Sequence, residues 1–168
     1  MSDPALDSHC EHGTSTEAAC PHCDSGSTTS TRTLAASSAK VALIGAPNTG
    51  KSTVFNAVTG LKAKTGNYPG VTVSRTVGVV RTGDRQITLE DLPGTYDLTP
   101  VSIDEQVVAD VLAGEIEGVE KPDAILVVAD AGTLRRSFGL IADVISLDLP
   151  TVLCLTMLDE LSRRGGSI

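Results

Sequence analysis

The chain has 168 residues, the size of one ordinary domain, and 40% of them are hydrophobic, which is enough for a packed core. Only 2% are aromatic, so that core must consist mainly of Val, Ile, Leu and Ala. The net charge of −8 and the pI of about 4.7 exclude the basic surface with which proteins bind nucleic acid or anionic membranes, and we expect no nucleic-acid partner.

Residues 1–39 differ sharply in composition from residues 40–168. The first segment is rich in Ser and Thr and cannot bury enough apolar surface to offset chain entropy, so we predict a disordered tail. It lacks the charged start and apolar run of a secretory signal, and the longest apolar stretches of the chain are too short to span a bilayer. We expect a soluble, cytoplasmic chain with one folded domain at 40–168.

Six soft metal ligands lie within the tail. Such residues could bind Zn²⁺ or Fe²⁺, but their spacing fits no standard zinc ribbon, so a flexible polar tail with adventitious metal affinity is the favoured interpretation. Cys154 lies in an apolar strand, and we interpret it as a core residue. The six tail ligands are His9, Cys10, His12, Cys20, His22 and Cys23.

The first half of the folded part contains three predicted strands and one helix. Residues 40–45 form a short apolar strand, and residues 51–60 continue as a helix. Residues 74–82 and 85–91 are predicted to be paired strands, joined by a tight turn at Gly83-Asp84.

The second half continues the alternation of helices and strands. The capping-box pattern Ser-x-x-Glu at 102–105 predicts a helix that ends near Gly114. Buried strands are predicted at 123–129 and 150–156. This alternation predicts an α/β fold, a mainly parallel sheet with helices on both faces. Between the last two strands, apolar residues recur at spacings of four, three and four and mark one face of a helix: Leu134, Phe138, Ile141 and Ile145.

Residues 45–52, called the phosphate loop below, read Gly-Ala-Pro-Asn-Thr-Gly-Lys-Ser and fit G-x-x-x-x-G-K-[ST] between a strand and a helix. The glycines let the backbone curl around a phosphate, and the helix adds its positive N-terminal dipole. Lys51 would supply charge for the β- and γ-phosphates, and Ser52 a hydroxyl for Mg²⁺. The predicted nucleotide-binding residues here are Gly45, Asn48, Thr49, Gly50, Lys51, Ser52 and Thr53.

A second phosphate-sensing loop follows the hairpin, where Asp91 is followed by Leu-Pro-Gly94. Asp91 would act on Mg²⁺ through water, and the Gly94 backbone N–H would meet the γ-phosphate. The alternative is an ordinary Asp-x-Pro-Gly turn. Its place about forty residues after a phosphate loop favours the functional interpretation.

Strand 150–156 ends in Thr156-Met157-Leu158-Asp159, which predicts guanine recognition. The Asp159 carboxylate would accept hydrogen bonds from N1–H and the exocyclic amine of guanine, whereas adenine has no such donor pair. We therefore expect GTP and GDP as ligands in preference to ATP. The alternative is a helix N-cap aspartate.

These motifs together resemble the G domain of FeoB-type ferrous iron transporters. The run Asn-Tyr-Pro-Gly-Val-Thr-Val at 67–73 is the most discriminating, and the resemblance covers nearly all of residues 40–168. It implies a GTP-binding domain on the cytoplasmic side of the bacterial inner membrane, with a helical regulatory domain and a membrane permease as partners. The segments that carry it are 45–53, 66–73, 91–98, 102–107 and 122–131.

The resemblance also assigns a role to Thr72, as the switch-one threonine that closes onto Mg²⁺ and the γ-phosphate in the triphosphate state. Two features depart from the family pattern. Thr156 stands where Asn is usual, and the chain ends at Ile168, before the last strand and helix of such a domain. We therefore expect a G domain without those elements and an exposed apolar edge at 150–156.

Catalysis needs a partner for the charge that develops between the β- and γ-phosphates, because Thr95 follows Gly94 where Ras-like proteins carry Gln. Asn48 could hold a monovalent cation in that place, and the family resemblance favours K⁺. Alternatively, Asn48 only shapes the loop. We predict a slow, K⁺-assisted GTPase whose catalytic residues are Asn48, Lys51, Thr72 and Gly94.

Two other functions stay open at this point. One is a nucleotide or metal sensor that does not turn over. The other is a ribosome-associated GTPase, but such a protein should carry a basic RNA-binding extension, and the acidic composition argues against it.

Overall fold

The computed structural model describes residues 38–167, so the predictions for the Cys/His tail lie outside the described residues. The elements, in chain order, are β1 (Ser38–Gly45), α1 (Lys51–Thr59), β2 (Ala63–Asn67), β3 (Ser74–Thr82), β4 (Arg85–Asp91), α2 (Ile103–Ala113), β5 (Ala124–Asp130), a 3₁₀ helix (Ala131–Ser137), α3 (Phe138–Ile145), β6 (Thr151–Thr156) and α4 (Leu158–Arg163).

Six strands form one sheet in the order β2-β3-β4-β1-β5-β6. β1 lies parallel to β4 and β5, and β5 lies parallel to β6. β3 is antiparallel to both β2 and β4. The α/β prediction is therefore confirmed, and the carboxyl ends of β1, β4, β5 and β6 meet at one edge of the sheet, which is where ligands bind in such folds.

Two apolar clusters cover the two faces of the sheet. The larger cluster packs the sheet against α2 and α3, and the smaller one packs it against α1 through Phe55. Aliphatic side chains dominate both, as the composition predicts. Representative fully buried members are Ile44, Val108, Ile125, Val127, Leu140 and Val144 in the larger cluster and Leu43 and Val128 in the smaller one.

The predicted capping box is present at the start of α2. The Glu105 N–H donates to the Ser102 hydroxyl at 3.3 Å, and the Glu105 carboxylate accepts from the Ser102 N–H at 3.2 Å. The helix ends where Gly114 adopts a left-handed φ of 82°. Both predicted boundaries are therefore confirmed.

β2 is a strand that we did not predict. Residues 63–67 read Ala-Lys-Thr-Gly-Asn and are exposed throughout, so they carry no apolar alternation. The segment is extended because it pairs with β3, from Ala63 opposite Gly78 to Asn67 opposite Ser74.

The predicted helical face at Leu134, Phe138, Ile141 and Ile145 is wrong. The Asp130 carboxylate accepts from the Gly132 N–H and the Thr133 hydroxyl, and this turn opens a 3₁₀ segment that holds Leu134. α3 therefore begins only at Phe138. Its buried face contains Leu140 and Val144, whereas Phe138 and Ile145 are 56% and 65% exposed.

β6 lies at the edge of the sheet, so the expected exposed edge at 150–156 is confirmed and the prediction of a buried strand there is wrong. Thr151, Val152 and Leu153 are exposed, whereas Cys154 is half-buried and packs against the smaller cluster, in agreement with its predicted core role. No helix within residues 38–167 is long and apolar enough to cross a membrane.

Candidate functional site

The phosphate loop links the end of β1 to the start of α1. Asn48 and Gly50 both have left-handed φ angles, 63° and 81°, which curl the backbone into a tight loop. The Thr49 N–H and hydroxyl both donate to the Ala46 carbonyl oxygen, at 3.4 and 2.8 Å, and close this turn. No side chain caps α1 at Gly50, so the backbone N–H groups of its first turn are left for another acceptor, and a helix N-terminus favours an anion.

Two glycines of the predicted site lie where a side chain would collide. A Cβ at Gly45 would stand 2.4 Å from the Val128 carbonyl oxygen, because β1 passes close to β5 there. A Cβ at Gly94 would stand 3.1 Å from Pro47, so the loop after β4 touches the phosphate loop directly.

Lys51 and Asp91 are forty residues apart in the chain and form an ion pair. Lys51 also donates to the Leu92 carbonyl oxygen at 2.5 Å. The second loop is tied to the first by the Thr95 N–H, which donates to the Gly45 carbonyl oxygen at 3.2 Å. The structure thus brings together the two motifs that the sequence predicted for phosphate binding.

A divalent cation would find oxygen donors here. Ser52 lies exposed on the first turn of α1, beside Lys51, whose ammonium contacts the Asp91 carboxylate. Mg²⁺ is usually held by one or two protein oxygens and by substrate phosphates. Among residues 38–167 there is no group of three or more His, Cys, Asp or Glu side chains that could form a protein-only cage. Ser52 and Asp91 therefore fit a metal shared with a nucleotide.

Thr156 connects three parts of the site. Its single hydroxyl proton is shared between the Thr49 carbonyl oxygen, at 2.6 Å from the hydroxyl oxygen, and the Ala129 carbonyl oxygen, at 3.1 Å. It therefore joins β6, the phosphate loop and β5. The sequence identified Thr156 only as the start of the guanine motif, and this bond to the loop was not predicted.

Asp159 lies on the first turn of α4, and its side chain is 69% exposed. It forms one ion pair, with Arg163, at 3.2 Å. The residue in the N-cap position of α4 is Met157, so the alternative interpretation of Asp159 as an N-cap is wrong. The carboxylate is accessible at the same edge of the sheet as the phosphate loop.

Thr72 lines a cavity that neither Ser52 nor Asp91 lines. It is exposed and lines an open cavity of about 500 Å³ together with Gly70, Val71 and Ile103. No residue of the phosphate loop lines that cavity. The loop that carries it, residues 68–73, is called the Thr72 loop below.

Asn48 is exposed and lines a second cavity, of about 170 Å³. Its lining is mostly polar and includes both an acidic and a basic side chain that sequence reasoning missed. The residues that line it are Ala46, Pro47, Asn48, Thr49, Tyr96, Asp130, Thr133, Arg136 and Ser137.

Glu90, the residue before Asp91 in β4, is the centre of a buried network of charged side chains. Glu90 is fully buried and accepts from Lys40, Arg75 and the Tyr68 hydroxyl, each at 2.8 Å. Burial alone would raise the pKa of Glu90, but the hydrogen bonds from Arg75, Lys40 and Tyr68 outweigh it and hold that pKa below its usual value.

Burial, together with the neighbouring Glu90 carboxylate, raises the pKa of Tyr68 far above its ordinary value. The sequence analysis missed this network. Glu90 belongs to a strand whose sequence, Arg-Gln-Ile-Thr-Leu-Glu-Asp, is mostly polar, so no local pattern marked it as buried.

Comparison with known proteins identifies similar chains. The family model described as "Ferrous iron transport protein B" matches residues 39–168. The Fe(2+) transporter FeoB of Escherichia coli (strain K12) is 42% identical over 130 residues, which are 74% of this chain and 16% of that protein. A fusion protein of Fe(2+) transport protein A and FeoB from Porphyromonas gingivalis is 41% identical over 128 residues, 76% of this chain and 15% of that protein. The chain thus spans about one sixth of these relatives.

Solved structures agree with this. The G domain of the T. maritima FeoB iron transporter superposes with a TM-score of 0.68 at 38% identity, covering 75% of this chain and 76% of that one. An S. thermophilus NFeoB mutant bound to GDP superposes with a TM-score of 0.69 at 38% identity, covering 77% of this chain and 49% of that one. The fold is that of these G domains.

Proposed function

The chain belongs to the ferrous iron transport protein B (FeoB) family, and on that premise we propose that it binds and hydrolyses GTP as a switch domain of bacterial ferrous iron uptake. The observation that carries the proposal is the contact between the two phosphate motifs. Lys51 reaches from the phosphate loop to Asp91 and Leu92, so that one ammonium and two backbone loops converge where a β- and γ-phosphate would lie.

We assign the choice of base to Asp159. Its carboxylate is exposed at the edge of the sheet, and guanine offers two donors to it, whereas adenine would leave it without partners. Thr156 would support the base site indirectly, through its bond to the phosphate loop. A GDP-bound relative with the same fold supports guanine as the base.

Magnesium would neutralise phosphate charge during binding and hydrolysis. We assign Ser52 and Asp91 as its protein contacts, with Thr72 added in the triphosphate state. Thr72 lines a different cavity from the one beside Asn48, and we propose that its contact with the metal involves a movement of the Thr72 loop. Such a movement would distinguish GTP from GDP and would make the domain a switch.

The site has Thr95 after Gly94, where Ras-like GTPases carry the glutamine that orients the attacking water. The Thr95 hydroxyl donates to the Asp97 carbonyl oxygen at 2.5 Å. We propose that Asn48 holds a potassium ion, which would supply the charge that an arginine provides in other GTPases. The exposed amide of Asn48, on a loop whose backbone donors face the phosphates, supports this assignment.

In the whole protein, we propose that this domain lies on the cytoplasmic side of the bacterial inner membrane, beside a helical regulatory domain and a membrane permease. The names of the relatives, which are Fe(2+) transporters several times longer than this chain, support that placement. A ribosome-associated GTPase is no longer an alternative, because the family is a different one. A sensor that binds GTP without turnover is the remaining alternative.

The test is a titration of the full chain with GDP, a non-hydrolysable GTP analogue and ADP, each with Mg²⁺, followed by a measurement of phosphate release from GTP. We expect both guanine nucleotides to bind and ADP to bind at least a hundredfold more weakly, as expected when a site built for two donors meets a base without them. Equal affinity for ADP would refute the guanine assignment. Tight GTP binding without phosphate release would favour the sensor.

A further inference from the structure

The base of the Thr72 loop is anchored in the protein core. Tyr68, at its start, is 1% exposed and belongs to the larger apolar cluster, as does Val73 at its end. The Tyr68 N–H donates to the Val73 carbonyl oxygen at 3.0 Å, and the Val71 N–H donates to the Tyr68 carbonyl oxygen at 3.3 Å. Both ends are therefore buried and bonded to each other, and only the tip of the loop is exposed.

The Tyr68 hydroxyl adds a second attachment of the loop base to the core. It donates to Glu90 at 2.8 Å, and the Arg75 guanidinium lies 5.8 Å from the centre of the tyrosine ring. Glu90 is itself held by Lys40 from β1 and by Arg75 from β3. A hydrogen bond to a buried, doubly paired carboxylate is among the stronger contacts that a neutral side chain can make.

Glu90 and Asp91 are consecutive residues of β4, so their side chains point to opposite faces of the sheet. Asp91 faces the phosphate loop, where it pairs with Lys51. Glu90 faces the Thr72 loop through Tyr68. One strand therefore carries the predicted metal contact on one face and the loop anchor on the other.

We propose that Tyr68 is a positioning residue, which through its hydrogen bond to Glu90 holds the Thr72 loop in the position of this structure, where Thr72 lines a cavity that no residue of the phosphate loop lines. The proposal rests on the function proposed above. Closure of Thr72 onto a triphosphate then works against the anchor, which lowers the affinity for GTP relative to GDP. The strength of this one bond sets the balance between the two states of the loop.

The variant Tyr68→Phe tests this in the full chain, because it removes the hydroxyl and keeps the buried ring. We expect the ratio of the Kd for GDP to the Kd for a non-hydrolysable GTP analogue, both with Mg²⁺, to rise roughly tenfold, mainly through tighter binding of the analogue. Lys40→Gln is the control, since it removes a partner of Glu90 that does not touch the loop. An unchanged ratio, a ratio that falls, or an equal change in Lys40→Gln would overturn the proposal.

A second readout does not depend on nucleotide. We expect amide hydrogen exchange at Tyr68 and Val71 to be roughly tenfold faster in Tyr68→Phe than in the parent. The same change at the other tyrosine, Tyr96→Phe, should leave both amides as they are in the parent. Unchanged exchange in Tyr68→Phe would overturn the anchor. If the parent bound no guanine nucleotide, the proposed function would fail, and this measurement would still decide whether the anchor exists.

Discussion

The Thr156 hydroxyl bonds to the backbone of both the phosphate loop and β5, at 2.6 and 3.1 Å. Substitutions that change either the hydroxyl or the methyl group of Thr156 can therefore show which of the two supports nucleotide binding. Thr156→Val keeps the shape and leaves both carbonyls without this donor, which costs about 1–3 kcal/mol. We expect GDP affinity to fall roughly tenfold, as measured by calorimetry. Thr156→Ser keeps the hydroxyl and should stay near the parent, and an equal loss in both variants would show that the methyl group matters as much as the hydroxyl.

Asp159 determines the base in our proposal, and the exchange Asp159→Asn tests that role. Loss of two hydrogen bonds to a carboxylate should weaken GDP binding at least roughly a hundredfold, while xanthosine diphosphate, which has an inverted donor and acceptor pattern, should bind better. Arg163→Gln is a matched control, because it removes the exposed partner of Asp159 and keeps the carboxylate. Comparable loss in both variants would assign the effect to α4 instead of to the base.

Asn48 determines the potassium dependence in our proposal. GTP hydrolysis by the parent should be roughly tenfold faster or more in KCl than in NaCl at equal ionic strength. Because the φ of Asn48 is +63°, Asn48→Gly removes the side chain without adding backbone strain, whereas alanine would add it. Asn48→Gly should lose the stimulation and bind GDP within about threefold of the parent. Equal rates of the parent in both salts would refute the mechanism, and stimulation that survives in Asn48→Gly would remove this residue from the ion site.

At the scale of elements, the buried network joins three adjacent strands through Glu90 of β4, Lys40 of β1 and Arg75 of β3. Because the folded-state pKa of Glu90 lies below its ordinary value of 4.5, its contribution to stability is present above pH 4.5 and is lost as the pH falls through the lower, folded value. The difference in the free energy of unfolding between the parent and Glu90→Gln should therefore shrink as the pH is lowered from 6 to 3, roughly the range over which a carboxylate titrates. Denaturant titrations at several pH values measure it, and a constant difference would contradict the assignment.

The elements that local sequence encodes agree with the structure. β3 and β4 have the predicted bounds because a turn at Gly83, with φ of 59°, joins two alternating runs. The bounds of α2 follow from the Ser102 capping box and from Gly114. In α3 the prediction was wrong, because the turn that Asp130 makes delays the helix and rotates its buried face by one position. The spacing of apolar residues alone does not predict that turn.

At the scale of the whole molecule, every predicted nucleotide contact lies between residues 45 and 159, and β1 begins at Ser38. Deletion of residues 1–37 should therefore leave the GDP affinity and the free energy of unfolding within error of the parent. Deletion through residue 41 is the control, because it removes half of β1 and four of the six positions at which β1 pairs with β4, and it should destabilise the domain. A large loss of GDP affinity in the shorter deletion would mean that the Cys/His segment contributes to the nucleotide site.

The sequence by itself determined the family, the α/β class and the two phosphate motifs, because these depend on glycines, caps and turns that act over a few neighbouring residues. It assigned Lys51 and Asp91 to one phosphate site because an Asp-x-x-Gly motif follows a phosphate loop by about forty residues. Only the tertiary structure decided the bond from Thr156 to Thr49, which spans 107 residues, and the burial of Glu90 between three strands. Such contacts depend on which strands become neighbours in the sheet, and no local pattern of residues records that.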